Sequence, residues 1–402
     1  MAEELTSRER VRIALNHMEP DRVPIDITYT WKPYVKLRRA LELREEVVRP
    51  DPFARVHESQ DLVDALGTDF LHCGLKPPST ARPFDWLGMD RYTDAYGITY
   101  GRFTLEGEQS EDERDRYLWQ MAEFPLKEGS MDEMRAFPWP DPRDSAQFAG
   151  VEEHIRHLYE TTGYALTMRF GRNIWELASF MRGQQNWWMD LVLKPDYCTA
   201  LMERVADIQR EIYLKGIELV GKYISVIRLG GEDFGTQRGL LISPEMFRNL
   251  VKPIIASVWL PIKERFLNIN PEGKLMMHSC GSIRPLISDF IEMGADILDP
   301  IQPGAKDMNG LLLKREFGDR LSFHGGIDTQ HVMSTGSLEA VELETKRRIE
   351  MLAPGGGYIL NPSHDVVSEV LPDQLLRMVQ VGKTYGRYPI RRGFSDEELL
   401  AL

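Results

Sequence analysis

The chain has 402 residues, 42% apolar, 9% aromatic and 28% charged, the proportions of a globular protein rather than of a disordered, collagenous or coiled-coil one. With 49 Lys plus Arg against 62 Asp plus Glu, the net charge of -13 repels a phosphate-rich polymer, so no nucleic-acid partner is expected. Three cysteines, Cys73, Cys198 and Cys280, are too few and odd in number for a disulfide framework. They fit a reducing compartment in which a thiol can ligate, and a cytoplasmic location is expected.

Charges begin at the third residue, and no apolar core of signal-peptide length follows. Nor does any stretch reach the roughly 20 uninterrupted apolar residues of a membrane span, so no membrane partner is expected. Thr6 and Glu9 have capping-box spacing, and Val11, Ala14, Leu15 and Met18 recur at helical spacing, which predicts an opening helix from about Ser7 to His17. Pro20 and Pro24 end it and lead into the apolar run VPIDI. After the further run TDFLHCG, a segment from about Asp85 to Arg143 is rich in Asp, Glu, Arg, Gly and Pro and weakly periodic. It reads as an irregular insertion of loops and short strands near one rim.

From about Tyr164 the pattern changes. The apolar runs ALTMRF, SVIRLG, KLMMHSC, ADILDP, RLSFHGG and GYILNP alternate with amphipathic stretches such as SIRPLISDFIEMG, and Gly294 and Gly318 stand where helices should end. Such alternation means parallel strands joined by crossover helices. Strands buried on both faces read as unbroken apolar runs, so VPIDI and TDFLHCG bring the count to eight, the number that closes a barrel. A doubly wound sheet is the rival, but no G-x-G-x-x-G occurs in a strand-to-helix context. The expected fold is α/β, a single (β/α)8 TIM barrel over residues 1–402 with an N-terminal helix and an insertion around 85–143.

Barrel enzymes place their chemistry at the C-terminal ends of strands. His278 and Cys280 lie two apart after KLMM, so they project from one face and can share an ion. His364, ending the last run, is the candidate third ligand. The bland alternative is a core histidine beside a buried thiol. After SVIRLG come Glu232 and Asp233, flanked by glycines, as general acid/base or as a displaceable fourth ligand. Alternatively Asp233 caps a turn and Glu232 pairs with Arg238. Asp299, Gln302, His324 and Asp328 follow two further runs and are placed to orient loops or ligands, Asp328 being the strongest candidate. Trp175, Trp187 and Trp188 read as packing, with cation–π capture of a methylated cation as the alternative.

The segments SRERVRIALNHMEPDRVPIDI, GGEDFGTQRGLLISPEMFRNLVKP, MMHSCGSIRPLISDFIEMGADILDPIQPGA, FGDRLSFHGGIDTQ and PGGGYILNPSH together resemble the uroporphyrinogen decarboxylase superfamily. That superfamily includes zinc enzymes that move methyl groups to or from corrinoid proteins. The resemblance implies one barrel of this type. Its tetrapyrrole decarboxylases carry P-x-W-x-M-R-Q-A-G-R after the first strand, whereas this chain reads VPIDITYTWKPYVKLRR, with Arg38 and Arg39 as the nearest arginines. Its methyltransferases look similar at H-x-C-G, which implies zinc on His278 and Cys280. The third ligand of the coenzyme-thiol branch is a cysteine, and here no cysteine follows Cys280, so His364 stands in its neighbourhood.

The resemblance therefore implies a zinc-dependent methyltransferase acting between a small methylated substrate (amine, betaine or aromatic ether) and a corrinoid on a separate partner protein. In it Glu232 ligates or donates a proton, and Asp233 and Asp328 orient. The separate corrinoid protein is expected because the D-x-H-x-x-G signature of the carriers is absent. A metal-free lyase decarboxylating a tetrapyrrole acid and a non-catalytic binding barrel are the alternatives. Monomer and homodimer both fit the superfamily.

Overall fold

In the computed structural model, which describes residues 5–44, 59–82, 84, 88–104 and 117–401, seven of the eight apolar runs become strands and the insertion adds three more. They are β1 (Phe70–Gly74), β2 (Arg91–Thr93), β3 (Thr99–Thr104), β4 (Tyr117–Glu123), β5 (Ala165–Arg169), β6 (Val226–Gly231), β7 (Lys274–His278), β8 (Ile297–Ile301), β9 (Ser322–Ile327) and β10 (Tyr358–Pro362). Seven of them form one sheet in the order β1-β5-β6-β7-β8-β9-β10, with every neighbouring pair parallel. Crossover helices such as Pro195–Val220, Lys252–Ile269 and Leu338–Leu352 separate consecutive strands, as parallel pairing demands.

The eighth run, VPIDI, closes the sheet on itself with a thin ladder. On one side Leu360 N–H donates to Pro24 O and Asp26 N–H to Leu360 O, both at 2.9 Å; on the other, Asp69 N–H donates to Ile25 O at 2.8 Å. Pro24 has no N–H to add, and the Ile25 N–H is taken by the Asp69 carboxylate at 2.8 Å, so this segment bridges β10 to β1 without forming a regular strand. Asp69, fully buried, also holds Arg10 at 2.7 Å and Arg22 at 2.7 Å. One carboxylate thus ties the opening helix, the closing segment and β1 together.

That helix runs Ser7–Leu15, two residues shorter than the sequence suggests, and its Thr6–Glu9 capping box is formed. Its Val11 and Leu15 pack with Phe70, Ala165, Val226, Met276, Ile297 and Ile359 into a small apolar cluster of their own. Most of these are the first or second residue of their strand, so the helix stoppers the N-terminal end of the barrel. Side chains alternate along a strand, so two residues further on the same inward face carries His72, Thr167, Arg228, His278, Asp299 and Asn361. The apolar floor gives way to a polar tier, and the candidate site stands on it.

The insertion is more regular than its composition suggests. β2, β3 and β4 make a three-stranded antiparallel sheet, under which Phe84 packs edge-on against Tyr92 and Trp119, each at 4.9 Å between ring centroids. Residues 85–87 and 105–116 of that stretch lie outside the described residues. Among the described residues no helix is long and apolar enough to cross a membrane.

The clasp at Asp69 gives a direct test. Asp69→Ala takes the carboxylate partner from the part-buried Arg22 and leaves the buried Arg10 only Asp21, and is expected to cost about 3–5 kcal/mol of stability, read as a lower urea midpoint. A midpoint within error of the parent would show that closure does not depend on it.

Candidate metal centre and its surroundings

His278 is the last residue of β7, Cys280 follows two positions later, and His364 lies two positions past the end of β10. Their ligating atoms all lie within 4.8 Å of one another, and the two imidazoles meet edge-on with centroids 5.7 Å apart. A divalent ion with bonds of about 2.0–2.3 Å to nitrogen and sulfur can join atoms so spaced after small side-chain rotations. His278 is buried, Cys280 partly so, and His364 exposed, so the cluster has an inner wall and an open side. The turn that brings Cys280 round requires Gly281: its φ is +86°, and a Cβ there would lie 2.7 Å from the Gly235 carbonyl carbon.

The donor set suits a metal chemically as well as spatially. His278 Nδ1 lies 2.7 Å from Asp299 Oδ2. Burial would raise the Asp299 pKa, but His324 and His278 hold it well below the usual range, so it is an anion that accepts the Nδ1–H. This fixes the tautomer that turns the Nε2 lone pair toward the cluster. Burial, then the Asp233 charge, pushes the Cys280 thiol pKa up. A bound cation would reverse that preference and make it a thiolate.

Two carboxyl groups border the three ligands. Asp233 Oδ1 accepts the Cys280 N–H at 2.9 Å and lies 3.6 Å from His278 Nε2. Burial opposes its ionisation, but His278 and the Cys280 N–H win and lower its pKa. Glu176, in the first turn of the helix Trp175–Arg182, has its pKa raised well above the usual range by burial and then by the Asp233 and Glu232 charges. Both effects favour its protonated form, beside the Asp233 carboxylate. Asn173 donates to its Oε2, and that oxygen and the His278 ring both border Gly231, where a Cβ would stand 3.2 Å from His278 Cδ2 and 3.6 Å from Glu176 Oε2. Sequence reading passed over Glu176 because it sits on a helix that no strand-end motif announces.

Two expected roles are corrected. Glu232 is engaged with backbone: its oxygens accept the Ile174 N–H at 2.6 Å and the Trp175 N–H at 2.8 Å. It caps the helix that carries Glu176, and burial pushes its pKa up to about 8 against the pull of those amides. Adjacent residues of an extended segment face opposite ways, so only one of the pair Glu232–Asp233 could reach the cluster. Asp328 instead organises its own turn, accepting from the Gln330 N–H at 2.7 Å and the His331 N–H at 3.1 Å and pairing with the His331 ring at 2.9 Å. Trp175 and Trp187 are buried in the core, their rings 5.3 Å apart, which is the packing role. Gln302 steadies the ligand loop by accepting the Gly281 N–H at 2.8 Å.

Beneath the cluster the polar tier is hydrogen-bonded from strand to strand. Asp299 Oδ1 meets His324 Nδ1 at 2.7 Å, His324 Nε2 meets Asp26 Oδ2 at 2.9 Å, and Asp26 Oδ1 meets His72 Nε2 at 2.8 Å. His72 Nδ1 then reaches Thr167 at 2.9 Å, and Arg228 pairs with Asp299. Burial would lower the His324 pKa, but Asp299 and Asp26 override it and hold it at about 9. Asp26, His72 and Arg228 were not singled out from sequence. Their shared inward parity with the floor residues is the signal that finds them.

The sequence model of the family described as Uroporphyrinogen decarboxylase (URO-D) matches residues 123–385. No curated protein sequence matches the chain. Among solved structures, a methyltransferase from Methanosarcina mazei superposes over 94% of this chain and 99% of its own, with a TM-score of 0.60 at 16% identity. An endo-1,4-beta-xylanase from Penicillium canescens covers 60% of this chain and 71% of its own at 12% identity, with a TM-score of 0.32. The first likeness supports the barrel architecture, and the second is too low to carry an argument.

Glu232 offers a test of the corrected assignment. Glu232→Ala strands two buried backbone N–H groups and is expected to cost about 1–3 kcal/mol while the bound-metal stoichiometry stays unchanged. Loss of metal with an unaltered urea midpoint would return it to the ligand set.

Proposed function

The chain belongs to the uroporphyrinogen decarboxylase family, and on that premise we propose that it is a zinc-dependent methyltransferase. It moves a methyl group between a small methylated substrate (amine, betaine or aromatic ether) and a corrinoid carried by a separate protein. The convergence of His278, Cys280 and His364 at the open end of the barrel carries this reading.

The three donors form the N,S,N set that a catalytic zinc uses when one position is left for substrate. Two neutral imidazoles and one thiolate would leave the bound ion net positive, able to polarise the oxygen or nitrogen from which a methyl group departs. The chain's own groups do the rest. Asp299 holds the His278 ring, and Asp233 holds the Cys280 loop through its N–H. Glu176 keeps a proton beside the cluster, ready for a heteroatom that gains charge as its methyl leaves. The exposed flank at His364 is the side from which substrate and a docking corrinoid protein approach. The 16%-identical methyltransferase fold is consistent with this reading.

A tetrapyrrole carboxy-lyase needs arginines turned to the substrate's carboxylates. Arg38, its nearest candidate, is engaged instead with both oxygens of Asp61 at 2.9 Å and with the Arg44 carbonyl.

The purified protein is expected to hold one zinc per chain and to methylate cob(I)alamin from at least one member of a panel of methylated amines, betaines and aromatic ethers. His278→Ala, Cys280→Ala and His364→Ala should each lose the zinc. A metal-free protein that decarboxylates a porphyrinogen would overturn the proposal. Glu176→Gln should keep its zinc and lose roughly 10²–10⁴-fold in transfer rate; an unchanged rate would remove Glu176 from the chemistry.

A further inference from the structure

The polar tier beneath the ligands is larger than orientation of one imidazole requires. A single carboxylate on His278 Nδ1 fixes its tautomer, yet Asp299 is followed by His324, Asp26 and His72 in one unbroken series of contacts at 2.7–2.9 Å. Asp26, Asp299 and His324 are at most 2% exposed. Buried charges must be balanced where they stand. Asp26 and Asp299 supply two negative charges, and His324, clamped between them, and Arg228, paired with Asp299, supply two positive ones.

Asp299 is the joint of this series. One oxygen faces His278 and Arg228, the other faces His324. A carboxylate held by a cation on one side pulls less strongly on a proton at the other. His324 touches none of the three ligands, yet its charge lies one carboxylate away from the buried one.

We propose that His324 is a positioning residue that sets the donor strength of His278 through Asp299, and with it the affinity of the pocket for a divalent ion. The cation at 324 keeps Asp299 from drawing the Nδ1 proton fully off His278, so the ion is held less tightly and stays more electrophilic. Asp26 shares the His324 cation from the far side, so that less of its pull falls on Asp299. This rests on the metal reading of His278, Cys280 and His364.

The test is zinc affinity of the full chain, measured by competition with a chromophoric chelator at pH 7, with the visible d–d spectrum of the cobalt(II)-loaded protein as a second readout. His324→Gln keeps a hydrogen-bonding side chain between the two carboxylates and removes the charge. It is expected to tighten zinc by about tenfold and to shift the cobalt bands. A merely structural role predicts weaker binding, so an unchanged or weakened affinity overturns the proposal.

Should the Gln variant fail to fold, Asp26→Asn, which removes an anion without touching Asp299, is expected to loosen zinc by a factor of a few. An unchanged or tighter affinity there overturns it equally. A parent chain that binds no zinc overturns both this proposal and the functional reading. A parent that binds one zinc, with variants indistinguishable from it, overturns this proposal alone.

Discussion

Two carboxylates sealed inside a barrel, Asp26 and Asp299, constrain what is built above them. Neither has access to water, so each must be met by cations and hydrogen-bond donors supplied by the surrounding strands. Asp299 meets that need with groups from three of them: Arg228 on β6, His278 on β7 and His324 on β9. Satisfying one buried anion therefore orients the imidazole that faces the candidate metal position. Stability and site geometry are here the same set of contacts.

The position of this tier depends on what lies beneath it. Val11 and Leu15 of the opening helix complete an apolar floor with the strand starts, excluding water from the narrow end. In the resulting low-dielectric interior each hydrogen bond is strong, and each unmet one would be costly. Barrel closure is equally necessary, because Asp26 arrives on the segment that joins β10 to β1 and touches His72 and His324 from there. Were that segment displaced, the series would lose its middle member.

Above the tier the site becomes more open and less symmetrical. Asp233 and Glu176 differ in their hold on a proton, because His278 and the Cys280 N–H lower the affinity of Asp233 while burial and the Asp233 charge raise that of Glu176. Glu232, next in sequence to Asp233, serves the scaffold by capping the helix on which Glu176 rides. Neighbours in the chain thus divide between capping that helix and holding the Cys280 loop.

Much was legible locally. The capping box at Thr6 and Glu9, the apolar runs that became strands, and the two-residue step from His278 to Cys280 depend only on contacts within a few residues, so pattern alone determined them. The closing role of VPIDI could be counted, though not its thin ladder, which follows from Pro24 and from the side chain of Asp69. Glu176, Asp26, His72 and Arg228 belong to elements that meet only once the sheet has curled shut, so nothing near them in the chain announces their partners. By itself the sequence determined which faces are apolar and which residue types stand at strand ends. Only the tertiary structure decided which of those ends converge, because convergence is set by barrel closure, a long-range property that no local spacing encodes.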